Sequence, residues 1–259
     1  MSNAPKDASE KAYQDNFVAE LAKFKWQTPD FLNGNKQKVT VQSLIDNWRS
    51  ELNRLNNDQL EGISLTDGEF AQVLSKVGQI SNSYEAAKVL AMEEGKGKID
   101  GIYRDSHPQV TRKQITLTIF KKAEVRGGES SYQVAREVET SNGNRFDIVL
   151  LINGLPLINI EQKRTDKSID EAFGQFQRYY RDGEYTNNFM AFSQMMVITT
   201  EIETRYFATP KTINDFNPAF VFHWSDRKNK RINDWKKVVE HFLMIPMAVS
   251  YTHLRAHET

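Results

Sequence analysis

Two carboxylates and a lysine stand out in this chain, because a simple fold would bring them together. Asp147 precedes the apolar run 148–152, and Glu161 and Lys163 follow the run 155–160. Asn153-Gly154 joins the runs, and Asn-Gly between short β-branched stretches is the strongest local signal for a hairpin with a type I′ turn. Folding there returns Glu161 and Lys163 to the end where Asp147 lies. Side chains alternate along a strand, so Glu161 and Lys163, two apart, point the same way. Converging carboxylates can hold Mg2+, a hard cation that takes oxygen ligands and usually keeps several waters. One or two such ions lower the pKa of a bound water, orient it and stabilise the charge that develops on a phosphodiester. A lysine beside them can orient the attacking water or screen the pentavalent state. Asp147 and Glu161 are therefore candidate metal ligands, and backbone carbonyls near Gln162 could complete the shell. The set has what metal-assisted hydrolysis of a nucleic-acid backbone needs. Taken alone it is a short pattern, and charged residues often end strands because strands end at the surface.

Periodicity predicts the elements that must carry these residues. Residues 8–24 repeat Tyr13, Phe17, Val18, Leu21 and Phe24 at helical spacing, with Ser9 as candidate N-cap. Residues 27–38 hold Pro29, Asn33, Gly34 and Asn35 and read as loop. Residues 41–55 place Leu44, Ile45, Trp48, Leu52 and Leu55 on one face of a second helix. Thr66 and Glu69 form a capping box at the head of a third, 66–77, and 83–92 reads as a short fourth. Residues 93–98, EEGKGK, read as a charged loop. The pattern then switches. Residues 114–121 alternate as a strand, 123–131 read as a turn around Gly127-Gly128, and 132–139 form another strand. After the hairpin, 166–180 read as helix, with Ser168 and Glu171 in capping-box spacing and Ile169, Ala172, Phe173, Phe176 and Tyr180 as its buried face. Residues 194–200 and 219–224 read as strands, and 232–243 as an amphipathic helix. Helices, antiparallel strands, helix, strands: the order predicts an α/β domain around a mixed sheet, with extra helices near the front.

On the helix after the hairpin, Gln175 and Tyr179 lie four apart and share a face. A D…ExK hairpin followed by QxxxY on a helix resembles the PD-(D/E)xK nuclease superfamily, in the branch with that glutamine–tyrosine signature. The wording is closer still to one family. FDIVLLINGLPLINIEQKR, IDEAFGQFQRYY, MVITTEIETRYFA and FHWSDRKNKRINDW strongly resemble the N-terminal part of the R subunit of type I restriction–modification enzymes, most densely over 145–243.

That resemblance implies a PD-(D/E)xK restriction-endonuclease-like mixed sheet flanked by helices, with extra N-terminal helices. Its endonuclease domain would span 8–245: a helical segment 8–100, a sheet core 101–225 and a closing helix 232–244. It also implies an enzyme, a type I site-specific deoxyribonuclease of the cytoplasm. Such an enzyme cuts double-stranded DNA with Mg2+ after ATP-driven translocation, in complex with methyltransferase and specificity subunits. The nuclease roles carry over to Asp147, Glu161 and Lys163, with Gln175 and Tyr179 as the helical motif. An early-helix acid is frequent in the superfamily. Glu10 is the candidate, although Glu20 lies on the same helix and either reads equally as a solvated charge. Phe146 stands in place of the superfamily's proline, and Thr199-Thr200 in place of an Asn-bearing turn. Two other functions fit the same residues: a repair-type exonuclease of this fold, and a non-catalytic module that binds DNA and docks on a motor. A complete acid–acid–lysine set argues against the second.

The 34 basic and 34 acidic residues leave no net charge, so any nucleic-acid site must come from local clustering. Arg164, Lys167, Arg178 and Arg181 gather near Lys163 as candidate phosphate contacts. Arg227, Lys228, Lys230, Arg231, Lys236 and Lys237 form a second basic group, read as a solvated face or a contact with further domains. The absence of cysteine excludes a disulfide scaffold and thiolate-bound zinc, and fits a reducing cytosol. No run approaches a membrane span, so no membrane partner is expected. His107, His223 and His241 are isolated; His253 and His257 are four apart but lack the HExxH glutamate. No G-x-x-x-x-G-K-[S/T] loop occurs, so ATP is expected to serve the full-length enzyme through domains outside this chain. Residues 1–7 read as a tag remnant or disordered segment. Residues 249–259, VSYTHLRAHET, resemble translated adapter DNA, so the natural protein is expected to continue past about Met247.

Overall fold

A computed structural model of the chain describes residues 8–121, 130–226 and 228–245. The tag reading of 1–7, most of the Gly127-Gly128 turn, Arg227, and the tail reading with His253 and His257 all lie outside them.

Helix α1 (Ala8–Lys23) buries Tyr13, Phe17, Val18 and Leu21, the stripe its spacing predicts. A two-residue strand β1 (Val39–Thr40) leads into α2 (Val41–Leu55), whose N-terminus Thr40 caps through Ser43. Helix α3 (Asp67–Val77) carries the expected capping box: Thr66 Oγ1 accepts from Glu69 N–H, and the Glu69 carboxylate accepts from Thr66 N–H. Helix α4 (Ser83–Gly95) runs straight into β2 (Lys96–Tyr103), which pairs with β3 (Gln114–Lys121) as a separate two-stranded sheet.

Residues 93–98 are thus a helix end and a strand start, not a loop. Gly97 explains the switch. A Cβ there would lie 3.1–3.2 Å from Ile119, Leu90 and Phe120, so glycine lets helix and strand approach closely. Ile99 and Ile102 then bury against the same layer.

The main sheet is built from β4 (Tyr132–Glu139), β5 (Arg145–Ile152), β6 (Leu155–Gln162), β7 (Met195–Thr199), β8 (Thr204–Ala208) and β9 (Phe222–His223), in the order β1-β4-β5-β6-β7-β8-β9. It is mostly antiparallel; β1 with β4 and β6 with β7 are the parallel pairs. Strand β6 is buried along its whole length and β5 nearly so. That is why both read as continuous apolar runs rather than alternating ones. Helix α5 (Ile169–Arg181) begins three residues later than expected. Ser168 caps it by accepting from Glu171 N–H at 3.1 Å. Phe173 and Phe176 of α5 pack on Phe207 of β8, a strand with no clear signal in the sequence.

The expected strand 219–224 is shorter than predicted. Pro218 and the Asn217 side chain, which accepts from Ala219 N–H, make a 3-10 turn of Pro218–Phe220 first. Helix α6 (Trp235–His241) returns to α1, with Trp235 stacked on Phe17 at 5.6 Å. The result is a mixed α/β fold, a sheet flanked by helices.

Candidate functional site

At the turn, β5 and β6 are close partners. Asn153 and Gly154 have φ of +52° and +77°, as a type I′ turn requires, and Ile152 pairs with Leu155. The register then shifts by one: Leu151 pairs with Pro156 but Leu150 with Ile158, so Leu157 is an extra residue. Proline lacks an N–H and is tolerated at such a bulge. This shift decides the site. The unbroken two-residue turn would set Ile160 across from Asp147. With the bulge, Ile148 pairs with Ile160, and Glu161 comes across from Asp147.

Beyond Ile148 and Ile160 the ladder ends. Strand β5 continues along β4 to Arg145, while β6 continues along β7 to Gln162. The two strands fork at the two carboxylates. Side chains take over where backbone pairing stops. Gln162 N–H donates to Asp147 Oδ2 at 2.7 Å, and Lys163 Nζ lies 3.5 Å from Glu161 Oε2. Gln175 Nε2 donates to Glu161 Oε2 at 2.7 Å and also to the Tyr179 hydroxyl oxygen. The Tyr179 hydroxyl donates to Arg145 O at 2.7 Å. Burial, then the nearby charges of Glu161 and Asp147, push the Tyr179 pKa upward, so it remains a neutral donor.

Both carboxylates are nearly sealed, Asp147 at 4% and Glu161 at 1% exposure. Charges this deep require partners, and the neighbours above supply donors. Among the described residues no group of three or more His, Asp or Glu comes together to hold a metal. Two buried carboxylates with no imidazole or thiolate suit a hard cation that keeps its own waters, and not zinc.

The early-helix acids separate. Glu10 lines a cleft of about 180 Å³ with Tyr13, Lys163, Arg164 and Glu201, whereas Glu20 pairs with Lys23 at 2.7 Å. The basic candidates are all exposed. Arg164 lines the cleft and pairs with Asp166 at 2.9 Å, Lys167 lies 3.5 Å from Glu171, and the Arg178 guanidinium sits 5.4 Å from the Tyr179 ring. In the second basic group, Arg231 is taken by Glu203 and Lys236 lies over Trp235. Thr199 bonds Tyr13 and Thr204 through its hydroxyl. Phe146 packs edge-on against Tyr179 at 5.3 Å and stacks on Tyr185 at 5.6 Å.

Sequence reading missed Gln14, Glu137 and Tyr185. Gln14 donates to Asp147 O, Glu137 on β4 faces Asp147 on β5, and Tyr185 is fully buried near Glu161. Gln14 alone left a trace, as a polar residue inside the apolar stripe of α1.

A mixed sheet forked at two carboxylates and a lysine, with helices on both faces, is a nuclease-like α/β fold. Comparison with known proteins narrows this. Residues 7–215 match the family model described as type I restriction enzyme R protein N terminus, and the chain belongs to that family. It is 34% identical to the endonuclease subunit of a type I restriction enzyme from Staphylococcus aureus, over 80% of this chain and 21% of that subunit. A Staphylococcus saprophyticus counterpart is 30% identical over 89% of this chain and 23% of its own length. The EcoprrI endonuclease subunit of Escherichia coli is 26% identical, over 85% and 68% respectively. The chain thus spans about a fifth of the staphylococcal subunits' length.

Proposed function

We propose that residues 8–245 form the nuclease unit of a type I restriction enzyme R subunit, which cuts double-stranded DNA at the β5–β6 fork. The observation that carries this reading is the fork itself: Asp147, Glu161 and Lys163 gathered where backbone pairing stops, with Gln175 bonded to the acid that neighbours the lysine. Asp147 and Glu161 would hold one or two Mg2+ ions, with Glu10 as a further acid at the cleft. When bound, the metal would supply Lewis acidity and a water of lowered pKa.

The chain's own groups do the rest. Lys163 orients the attacking water and offsets charge growing on the phosphate. Gln175 fixes the orientation of the Glu161 carboxylate through Oε2. Tyr179, kept neutral, holds the start of β5. Arg164, Lys167, Arg178 and Arg181 neutralise backbone phosphates, so DNA affinity falls as salt rises. ATP-driven translocation before the cut belongs to the remainder of the R subunit. Methyltransferase and specificity subunits complete a cytoplasmic complex.

The test uses the assembled restriction enzyme and a covalently closed plasmid, which offers no ends to an exonuclease. Asp147→Asn and Lys163→Ala should each abolish cutting while ATP hydrolysis persists. Undiminished cutting by either variant would sink the assignment.

A further inference from the structure

We propose that α1 clamps the β5–β6 fork from the face opposite α5, with Tyr13 and Gln14 as positioning residues for Asp147 and Lys163. The proposal rests on the nuclease reading of the fork. Past Ile148 and Ile160 the β5–β6 register stops, so something else must set the spacing of Asp147 from Glu161 and Lys163. From one face α5 does so: Gln175 holds Glu161 on β6, and Tyr179 holds Arg145 O on β5.

The other face has an equivalent in two consecutive residues. Gln14 Nε2 donates to Asp147 O at 3.3 Å on β5. The Tyr13 hydroxyl bonds Thr199 Oγ1 at 2.8 Å and donates to Thr200 O at 2.9 Å, beyond β6. Thr199 O in turn accepts from Lys163 N–H at 3.0 Å. The faces are opposite because Thr199 is in register with Gln162, and Gln162 alternates with Glu161 along β6.

Three features fit a positioning role better than simple packing. Gln14 and Tyr13 are 1% and 4% exposed, so neither is a surface residue that happens to reach inward. The orientation of Gln14 is imposed: Arg136 Nη2 donates to its Oε1 at 2.7 Å, which turns its amine toward Asp147. The same amine donates to Glu137 Oε1 at 2.6 Å. Glu137 lies across from Asp147, between the pairs Arg136–Ile148 and Val138–Phe146, and has φ of +53°. Left-handed backbone at a glutamate is strained and persists only when its surroundings hold it. Gln14 and Arg145, whose Nε lies 2.9 Å from Glu137 Oε2, do so. A single amide therefore secures both the carbonyl of Asp147 and the strained residue facing it.

Two backbone amides report the fork without any metal. Gln162 N–H is held by the Asp147 carboxylate, and Lys163 N–H by Thr199 O. Hydrogen exchange of this chain, followed by NMR, should show Gln162 exchanging about tenfold faster or more in Gln14→Leu, with Leu150 in the intact ladder unchanged. Tyr13→Phe, which keeps the ring, should do the same for Lys163. Mn2+ titration by calorimetry should show binding weakened by about tenfold or more in each variant, as for other supports of metal ligands. Unchanged exchange in the folded variants overturns the clamp, whatever the metal does; if Gln14→Leu does not fold, Tyr13→Phe decides. Wild-type Mn2+ binding that ignores Asp147→Asn strikes the nuclease reading instead and leaves the exchange result to judge the clamp.

Discussion

The two ends of the β5–β6 hairpin are held by opposite means. At the turn end, local chemistry sets the geometry. Asn153 and Gly154 adopt left-handed φ, and the ladder closes on them. Close packing finishes the job: a Cβ on Gly154 would lie 2.8 Å from Trp48 Cα. At the fork end the ladder is gone, and helix side chains distant in sequence take its place. Gln175 and Tyr179 come from α5, Tyr13 and Gln14 from α1. The turn end is a scaffold that excludes water. The fork end places two buried carboxylates where β5 and β6 no longer pair with each other, the arrangement on which the proposed metal site rests. One hairpin thus serves for stability at one tip and, on the proposed reading, for chemistry at the other.

Substitutions can break that contrast. Gly154→Ala should be the most damaging, costing on the order of 2–4 kcal/mol, because it combines a steric clash with a positive φ. Urea unfolding checks this, and the fraction that remains folded should bind Mn2+ as before. A shift in metal affinity there would mean the two ends are coupled.

Tyr179→Phe should cost about 1–2 kcal/mol by removing the hydroxyl that donates to the part-buried Arg145 carbonyl. It should also weaken Mn2+ binding, which Gly154→Ala does not. Its pH dependence has a defined sign. Burial raises the folded pKa of Tyr179 above the ordinary value of about 10. Below that value both states are neutral, and stability is fully present. Above it the unfolded chain loses protons that the fold retains, so stability falls as pH rises. Thermal melts between about pH 8 and pH 11 should decline less steeply in Tyr179→Phe than in the wild type.

The smallest effect is expected at Gln162, between Glu161 and Lys163. Its side chain is fully buried and neither amide atom has a partner among the described residues. Gln162→Leu should leave stability unchanged or raise it by about 1 kcal/mol, since an unpaired buried amide is costly. A clear loss of stability in chemical denaturation would show that the amide holds an internal water.

Much of this was legible beforehand. The Asn-Gly turn, the Thr66–Glu69 capping box and the stripe of α1 are local signals whose cause lies within a few residues. Asp147, Glu161 and Lys163 could be singled out because each is polar at the end of an apolar run, and Gln175 and Tyr179 because they lie four apart on one helix face. The start of strand β2 was not legible, because the GKGK part of EEGKGK has no strand pattern and its last three residues become strand only by pairing with β3. Nor was Glu10 separable from Glu20, since both lie on one helix and only the cleft distinguishes them.

What the sequence determined by itself is the inventory: a hairpin with its turn, and the types of side chain at its far end. What the tertiary structure decided is whether those side chains meet. A two-residue turn counted outward puts Asp147 opposite Ile160. The bulge at Leu157 moves Glu161 into that place, and no rule of spacing foretells a bulge. The fork then needs supports from α1 and α5, which reach it only once the sheet exists to seat them. Periodicity is a property of one strand, whereas register and divergence are relations between strands, and those are settled by everything packed against them.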